Sequence, residues 1–293
     1  MRLLLPLLLL AACTGSATTP AEILPDKVVD DPSDDAVKDA ADAGMAPAEP
    51  GLVSEAAFKA AHQLKEGAAP KLEGAMVSLP SGSKAYLSMP EGASGPVPGV
   101  VVIHEWWGLN DHVKHWADRL ADEGYAALAV DLYGGQAATT RDEAMGLMKA
   151  VDNDQAIATL KEAHSYLQTE VNAPRTASVG WCFGGGWSLQ LAMAEPELDG
   201  AVIYYGRLVD DPEQLASVNA PILGHFALND QGIPKEAVQG FHDALKAQEK
   251  AVTVHMYDAD HAFANPSGER YDAEDAEKAW GLTRAFLKAQ LRR

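Results

Sequence analysis

The sequence has few cysteines and comparatively few basic residues, and each shortage excludes a class of protein. It contains two cysteines in 293 residues, Cys13 and Cys182, so it has no disulfide framework and cannot build a metal cluster from cysteines. Lysine and arginine total 23 against 42 acidic residues, and the formal net charge is −19. This charge argues against nucleic acid as a partner, because binding to phosphates requires clustered cations.

The chain begins with an apolar stretch that is too short to span a bilayer. Residues 1–12 place Arg2 ahead of a leucine-rich run, which is typical of a secretory signal peptide. The run ends in Leu10-Ala-Ala-Cys13 and resembles the bacterial lipoprotein signal, in which the cysteine is lipidated. The resemblance implies an extracytoplasmic protein anchored to a bacterial membrane through Cys13, and Thr14 favours the outer membrane. The alternative is an ordinary secretory signal cut nearby, with Cys13 incidental.

Residues 13–71 are predicted to form a flexible tether, and residues 72–293 a single folded domain. Most of the tether is rich in Ala, Asp, Pro, Thr and Ser and has few large apolar residues. Such a segment cannot bury enough surface to fold. One short helix is possible over residues 54–65, with Ser54 as its cap.

From residue 75 onwards, short apolar runs alternate with helical patterns. Continuous apolar runs such as Gly99–His104 and Ala126–Asp131 are typical of strands that are buried on both faces of a parallel sheet. We predict strands at 75–79, 84–89, 99–104, 126–131, 176–179, 200–205, 220–226 and 252–257, and helices at 111–124, 141–169 in one or two pieces, 185–194, 235–247 and 273–291. The first two strands should be antiparallel. The pattern predicts an α/β domain with a mostly parallel sheet covered by helices on both faces.

One stretch combines a strand, a sharp turn and a helix around a nucleophilic side chain. Gly180-Trp-Cys-Phe-Gly184 has the spacing of the G-x-S-x-G nucleophile elbow, with Cys182 in place of serine. The two glycines flank the apex where a Cβ would clash. The start of the following helix favours a thiolate at Cys182 and an oxyanion beside it. The alternative is a buried cysteine that only packs.

Two further polar residues follow predicted strands in an order that suggests a catalytic triad. Asp230 follows the strand at 220–226, and His261 follows the strand at 252–257. The carboxyl ends of parallel strands meet at one edge of a sheet, where sites form. A thiol needs a base, and the base needs a carboxylate to hold its tautomer. We predict Cys182, Asp230 and His261 as the triad, with Asp258 or Asp260 as the next candidates for the acid.

Four motifs resemble those of the dienelactone hydrolase family and follow one another in the family's order over about residues 72–293. Along the chain they are His104-Glu-Trp-Trp-Gly-Leu-Asn110, Val130-Asp-Leu-Tyr-Gly134, Gly180-Trp-Cys-Phe-Gly-Gly-Gly186 and Asp260-His-Ala-Phe-Ala264. The resemblance implies the α/β-hydrolase fold and a Cys-His-Asp triad on Cys182, His261 and Asp230. It also implies that Glu105 contacts the thiol and helps convert it to thiolate when substrate binds. No metal or organic cofactor is implied.

The backbone N–H groups of Phe183 and Trp106 are predicted to form the oxyanion hole. Several aromatic residues are expected to cluster around the mouth of the site, with at least two of them in the core. They are Trp106, Trp107, Trp181 and Tyr133. We predict that Tyr133, Trp107, Trp181 and Asn265 bind substrate in an aromatic-walled pocket.

The sequence departs from the family at the positions that bind a substrate carboxylate. Family members that act on dienelactone carry one arginine shortly after the Asp-Leu-Tyr motif and another shortly after the triad histidine. Here Gly134-Gly135-Gln136 and Asn265 occupy those neighbourhoods. Arg141 and Arg270 are nearby in sequence and are candidates to replace them, and the alternative is that each is an ordinary surface charge. A neutral substrate is therefore expected.

The residues and the resemblance together predict a hydrolase that cleaves a small ester or lactone through a thioester acyl-enzyme. A monomer with a small-molecule substrate, a membrane anchor and no nucleic-acid partner is expected. The alternative from a different class is a non-catalytic lipoprotein that binds a ligand in the same pocket. A second alternative is a hydrolase of serine-type lineage in which the cysteine supports only weak esterase activity. A thiol redox role is a third, which the lack of a resolving cysteine near Cys182 disfavours.

Overall fold

The computed structural model describes residues 71–292. The predicted signal peptide, the predicted lipidation site at Cys13 and almost all of the predicted tether lie outside the described residues. Among residues 71–292, none of the helices has the length and apolar character needed to cross a membrane.

Eight strands form one sheet in the order β1-β2-β4-β3-β5-β6-β7-β8. Only the pairings of β1 with β2 and of β2 with β4 are antiparallel, so the predicted, mostly parallel sheet is confirmed. Every residue of the central strands β3 and β4 is buried, as their continuous apolar runs require. The strands are β1 (Ala75–Ser78), β2 (Lys84–Ser88), β3 (Gly99–Ile103), β4 (Ala126–Val130), β5 (Thr176–Trp181), β6 (Gly200–Tyr204), β7 (Ile222–Ala227) and β8 (Val252–Tyr257).

Seven helices lie within the described residues, six of them between strands and the last after β8. They are α1 (Asp111–Asp122), α2 (Arg141–Ala150), α3 (Asn153–Thr169), α4 (Phe183–Ala194), α5 (Pro212–Leu215), α6 (Lys235–Ala247) and α7 (Ala273–Leu291). The helical region at 141–169 is in two pieces, because Asp152 leaves the helical conformation and caps α3 through the Gln155 N–H at 2.9 Å. The short helix α5 was not predicted.

The helices cover both faces of the sheet and divide its apolar residues into two cores. Neighbouring residues of one strand point to opposite faces, so Val102 lies in one core and Ile103 in the other. Helices α1 and α7 pack on the first face. Helices α3, α4 and α6 pack on the second. This arrangement leaves the carboxyl ends of the parallel strands as the edge at which polar side chains gather.

Candidate active site

The elbow after β5 holds Cys182 in a backbone conformation that is unusual for a residue with a side chain. Its φ is 52° and its ψ is −115°, and its N–H donates to the Tyr204 carbonyl at 3.0 Å. A Cβ on Gly180 would overlap the Gly184 carbonyl, and a Cβ on Gly184 would overlap the Ile103 carbonyl. The two glycines therefore permit the close approach of strand and helix that the sequence predicted. Helix α4 begins at Phe183, two residues earlier than expected, directly after the cysteine.

Asp230 and His261 are buried and bonded to each other. His261 Nδ1 lies 2.5 Å from Asp230 Oδ2. The other oxygen, Oδ1, accepts hydrogen bonds from the Gly232 N–H at 2.8 Å and the Ile233 N–H at 3.3 Å. Burial alone would raise the pKa of Asp230, but the bonds from His261 and from these backbone amides hold it below its ordinary value. The carboxylate therefore stays ionised and fixes the orientation of the imidazole.

Cys182 is the second group that interacts with the His261 imidazole, through charge and a hydrogen bond. Burial alone would lower the pKa of His261, but the Cys182 sulfur and Asp230 raise it to about 10. This direction favours a protonated imidazole beside the Cys182 sulfur. The structure thus brings the three predicted triad residues into one row, from carboxylate to imidazole to sulfur.

Glu105 lies directly after β3, is 7% exposed, and forms hydrogen bonds with two side chains. Tyr205 donates to its Oε1 across 3.4 Å, and the Asn265 amide donates to its Oε2. Burial raises the pKa of Glu105 to about 7, against the lowering effects of His261, Asn265 and Tyr205. The contact between this carboxyl and Cys182 stays a prediction, because the hydrogen bonds of Glu105 go to Tyr205 and Asn265.

The amide of Asn265 is held in one orientation by its neighbour Ser267. The backbone N–H and the hydroxyl of Ser267 both donate to Asn265 Oδ1, at 2.9 Å and 2.6 Å. The carbonyl end is thereby occupied, and the NH₂ end faces Glu105. Of the two arginines considered as replacements, Arg270 lies 3.9 Å from the carboxylate of Asp260. Arg141 is the first residue of α2.

The four predicted aromatic residues are all buried, but they do not form a single cluster. Trp106 and Trp107 contact each other, with ring centroids 4.9 Å apart, and pack against α2. Trp181 stacks instead on Trp116 and Tyr204, because it is the last residue of β5 and faces the core under α1 and α7. Trp107 and Trp181 nevertheless both line the cleft beside Glu105, and an aromatic wall around the mouth stays a prediction.

A narrow cleft next to Glu105 contains three of the four predicted substrate-binding residues. Trp107, Trp181 and Asn265 line it. Its volume of about 20 Å³ has room for about one water-sized group. The fourth residue, Tyr133, packs against the rings of His104 and Phe183, with centroids 4.6 Å and 5.6 Å away.

Two residues that organise the site were missed by the sequence reasoning. His104 Nε2 accepts from the Leu132 N–H at 3.2 Å, so its Nδ1 carries the proton and donates to the Glu105 carbonyl at 2.6 Å. Burial lowers the pKa of His104 to about 4, and the neutral ring joins the loops that follow β3 and β4. Its position at the end of a buried strand was the available signal. The second is Tyr205, whose φ of 35° lies in the left-handed region.

The predicted oxyanion-hole residues lie beside Cys182 at the same edge of the sheet. Phe183 is the first residue of α4, so its N–H belongs to the helix terminus that has no intrahelical acceptor. Trp106 follows β3, which pairs directly with β5.

Among residues 71–292, no three His, Cys, Asp or Glu side chains are grouped so that they could hold a metal ion.

A parallel sheet with helices on both faces, an elbow after its central strand and a histidine–aspartate pair at its carboxyl edge define an α/β-hydrolase. The model of the dienelactone hydrolase family matches residues 83–291. The chain belongs to the dienelactone hydrolase family, and it is a hydrolase of the carboxylic ester type.

Relatives in sequence and in structure support this assignment. A protein of Escherichia coli (strain K12) is 33% identical over 212 residues, which cover 67% of this chain and 78% of the relative. One of Saccharolobus solfataricus is 32% identical over 254 residues, which cover 70% and 93%. Both bear the name "Putative carboxymethylenebutenolidase".

Solved structures show the same fold over most of the chain. A dienelactone hydrolase-like promiscuous phosphotriesterase from metagenomic libraries has a TM-score of 0.66 and 26% identity, with 74% of this chain and 98% of the other covered. The Pyrococcus horikoshii acylaminoacyl peptidase has a TM-score of 0.60 at 16% identity, with 76% and 43% covered. At that identity it shows the fold alone.

Proposed function

We propose that this hydrolase cleaves a small neutral ester or lactone with Cys182 as its nucleophile. The observation that carries the proposal is the row from Asp230 through His261 to Cys182, with the cysteine at a strained elbow. Each member supplies what the next one needs. The carboxylate fixes the orientation of the imidazole, and the protonated imidazole stabilises a negative charge on the sulfur.

The reaction begins when the Cys182 thiolate attacks the substrate carbonyl carbon and forms a carbon–sulfur bond. The carbonyl oxygen becomes an oxyanion, which the N–H groups of Phe183 and Trp106 stabilise. The intermediate then collapses, and His261 gives its proton to the leaving alcohol oxygen. A thioester acyl-enzyme remains, with His261 neutral.

Hydrolysis of the thioester regenerates the starting state. His261 takes a proton from a water molecule as that water attacks the acyl carbon. The second oxyanion occupies the same hole, and its collapse expels the Cys182 thiolate. The carboxylic acid leaves, and the thiolate is again paired with the protonated His261.

The contacts of Asn265 and Glu105 favour a neutral substrate. Where dienelactone-cleaving relatives carry an arginine, Asn265 directs its NH₂ to the Glu105 carboxyl and its oxygen to Ser267. An arginine would hold a carboxylate by paired, charge-assisted hydrogen bonds. Here the nearest ionisable group is itself a carboxyl, and the net charge of −19 further disfavours anions at low salt.

The test is a matched pair of substrates, a lactone that carries a free carboxylate and its methyl ester, assayed at low and moderate salt. We expect a higher kcat/KM for the methyl ester, with the difference largest at low salt because screening weakens the repulsion. Cys182→Ala should abolish turnover of both, and Asp230→Asn should lower it by on the order of 10⁴-fold.

Each part of the proposal has a contradicting result. Full turnover by Cys182→Ala would remove the cysteine as nucleophile. A preference for the free acid that disappears in Arg141→Ala or Arg270→Ala would show that this arginine binds the substrate carboxylate. A wild-type protein that binds such molecules but turns over none of them would be a ligand-binding protein instead.

The N-terminal sequence supports a further proposal about location. We infer that the protein is lipid-anchored outside the cytoplasm through Cys13, on the strength of Arg2, the leucine-rich run and Leu10-Ala-Ala-Cys13. A single acyl chain gives weak membrane binding, whereas two or more chains give a stable anchor.

A further inference from the structure

The hydroxyl of Tyr133 is a buried polar group for which the protein supplies no partner. Tyr133 is 6% exposed, and its Oη makes no hydrogen bond to any residue of the described range 71–292. Buried polar groups are nearly always bonded, because leaving one unpaired costs its full desolvation. The Tyr133 hydroxyl is therefore available to form a hydrogen bond with a molecule that binds at the site.

The ring is held firmly enough to aim this hydroxyl. It packs edge-to-face with the His104 ring, with centroids 4.6 Å apart, and the Phe183 ring centroid lies 5.6 Å away. The Tyr133 N–H donates to Asp131 Oδ1 at 2.8 Å. These contacts keep Tyr133 in place, so the unpaired state of the hydroxyl is not a consequence of a loose side chain.

Tyr133 lies at the nucleophile. Phe183, which its ring contacts, directly follows Cys182, and the charge of the Cys182 sulfur acts on the phenol. Burial and that charge together raise the pKa of Tyr133 far above its ordinary value. The hydroxyl thus remains a neutral donor at every pH at which the enzyme would work.

We propose that Tyr133 is a further catalytic residue, whose hydroxyl donates a hydrogen bond to the oxyanion formed when Cys182 attacks the substrate. This inference rests on the proposed function. The oxyanion is chosen over the resting thiolate because the hydroxyl has no partner in the free protein. A bond that forms only with the transition state raises kcat rather than substrate affinity.

The chain offers a matched control for Tyr133→Phe. Tyr86 is also buried, at 2% exposed, but its hydroxyl donates to Asp118 Oδ1 at 2.8 Å, between β2 and α1. Removing that hydroxyl breaks a bond of the folded state, whereas removing the Tyr133 hydroxyl breaks none. The two variants should therefore behave in opposite ways.

The experiment measures kcat and KM on p-nitrophenyl acetate, together with the Tm, for both variants. Tyr133→Phe should lower kcat by about 10- to 100-fold, change KM by less than about threefold, and leave the Tm unchanged or higher. Tyr86→Phe should lower the Tm and leave kcat within about twofold of wild type. The pH dependence of Cys182 alkylation by iodoacetamide should be the same in Tyr133→Phe and wild type.

Three results would overturn the inference. They are an unchanged kcat in Tyr133→Phe, a fall in its Tm comparable to that of Tyr86→Phe, and a shifted alkylation profile, which would make the thiolate the partner. Failure of the proposed function would look different. In that case wild type would not turn over the ester, or Cys182→Ala would do so as well as wild type.

Discussion

At the scale of single residues, the protonation state of Glu105 connects the site to the stability of the fold. Its carboxyl is buried, and its pKa lies near 7 rather than at the ordinary value of 4.5. Between these two values the folded chain holds a proton that the unfolded chain has lost. Stability is therefore unaffected below about pH 4.5 and declines as pH rises through about 7, because the folded state must then bury a charge.

Glu105→Gln should remove this cost and leave the buried volume almost unchanged. The amide can still accept from Asn265, and the Tyr205 hydroxyl can rotate to accept from it. Urea unfolding at pH 8 should show the variant more stable than wild type, by on the order of 1–3 kcal/mol. The difference should shrink at pH 5, where wild-type Glu105 is largely protonated. The assigned cause would be contradicted if the stability gain of the variant over wild type were smaller at pH 8 than at pH 5.

At the scale of elements, the elbow depends on a strand and a helix approaching without a side chain between them. Gly184 is the position at which α4 meets the end of β3, and the atom that a Cβ would overlap is the Ile103 carbonyl oxygen. A backbone atom of a central strand cannot move aside as the end of a flexible side chain can. The same approach brings the start of α4, the Phe183 amide and Cys182 to the sheet edge.

Gly184→Ala should therefore destabilise the fold, and Gly281→Ala is the matched control. Gly281 lies on the exposed side of α7, and a Cβ there would meet no atom within 4 Å. In urea unfolding, Gly184→Ala should lose about 1–3 kcal/mol or more. Gly281→Ala should gain about 0.5–1 kcal/mol, because alanine restricts the unfolded chain. Equal stability of the two variants would show that the predicted overlap does not occur.

The elements of this fold could be predicted because their signals are local. The buried strands and the glycine spacing around Cys182 are visible in short windows of sequence, and helix α6 has the predicted bounds. Helix α5 was missed because four residues are too few to show a period. The bond between Asn265 and Glu105 joins residues 160 apart, and only the assembled sheet edge shows that the two meet. The separate packing of Trp106 and Trp107 against α2 and of Trp181 under α1 and α7 has the same cause.

At the scale of the whole molecule, the net charge and the N-terminal sequence bear on different parts of the proposal. The net charge of −19 disfavours anionic ligands and adsorption to anionic surfaces. The proposed membrane attachment therefore rests on the N-terminal cysteine rather than on the surface of the folded domain.

Cys13→Ser tests the proposed attachment directly. If the anchor is the lipid on Cys13, the variant should leave the membrane fraction while the wild type stays in it, since loss of the acyl chains removes the hydrophobic binding energy. Fractionation of cells that express each form, followed by immunoblotting, is the measurement. Cys182→Ser serves as the control for loss of a thiol elsewhere and should remain membrane-bound. Retention of Cys13→Ser in the membrane fraction would contradict the proposal.

The covalent state of Cys182 during turnover tests the central claim most directly. A neutral ester with a slowly hydrolysed acyl group is mixed with the full-length protein, quenched in acid, and analysed by intact mass and peptide mapping. The account predicts one acyl group on the peptide that contains Cys182, released by hydroxylamine as a thioester is, and no such group in Cys182→Ala. An acyl group on any other side chain, or turnover by Cys182→Ala without a Cys182 adduct in the wild type, would contradict it.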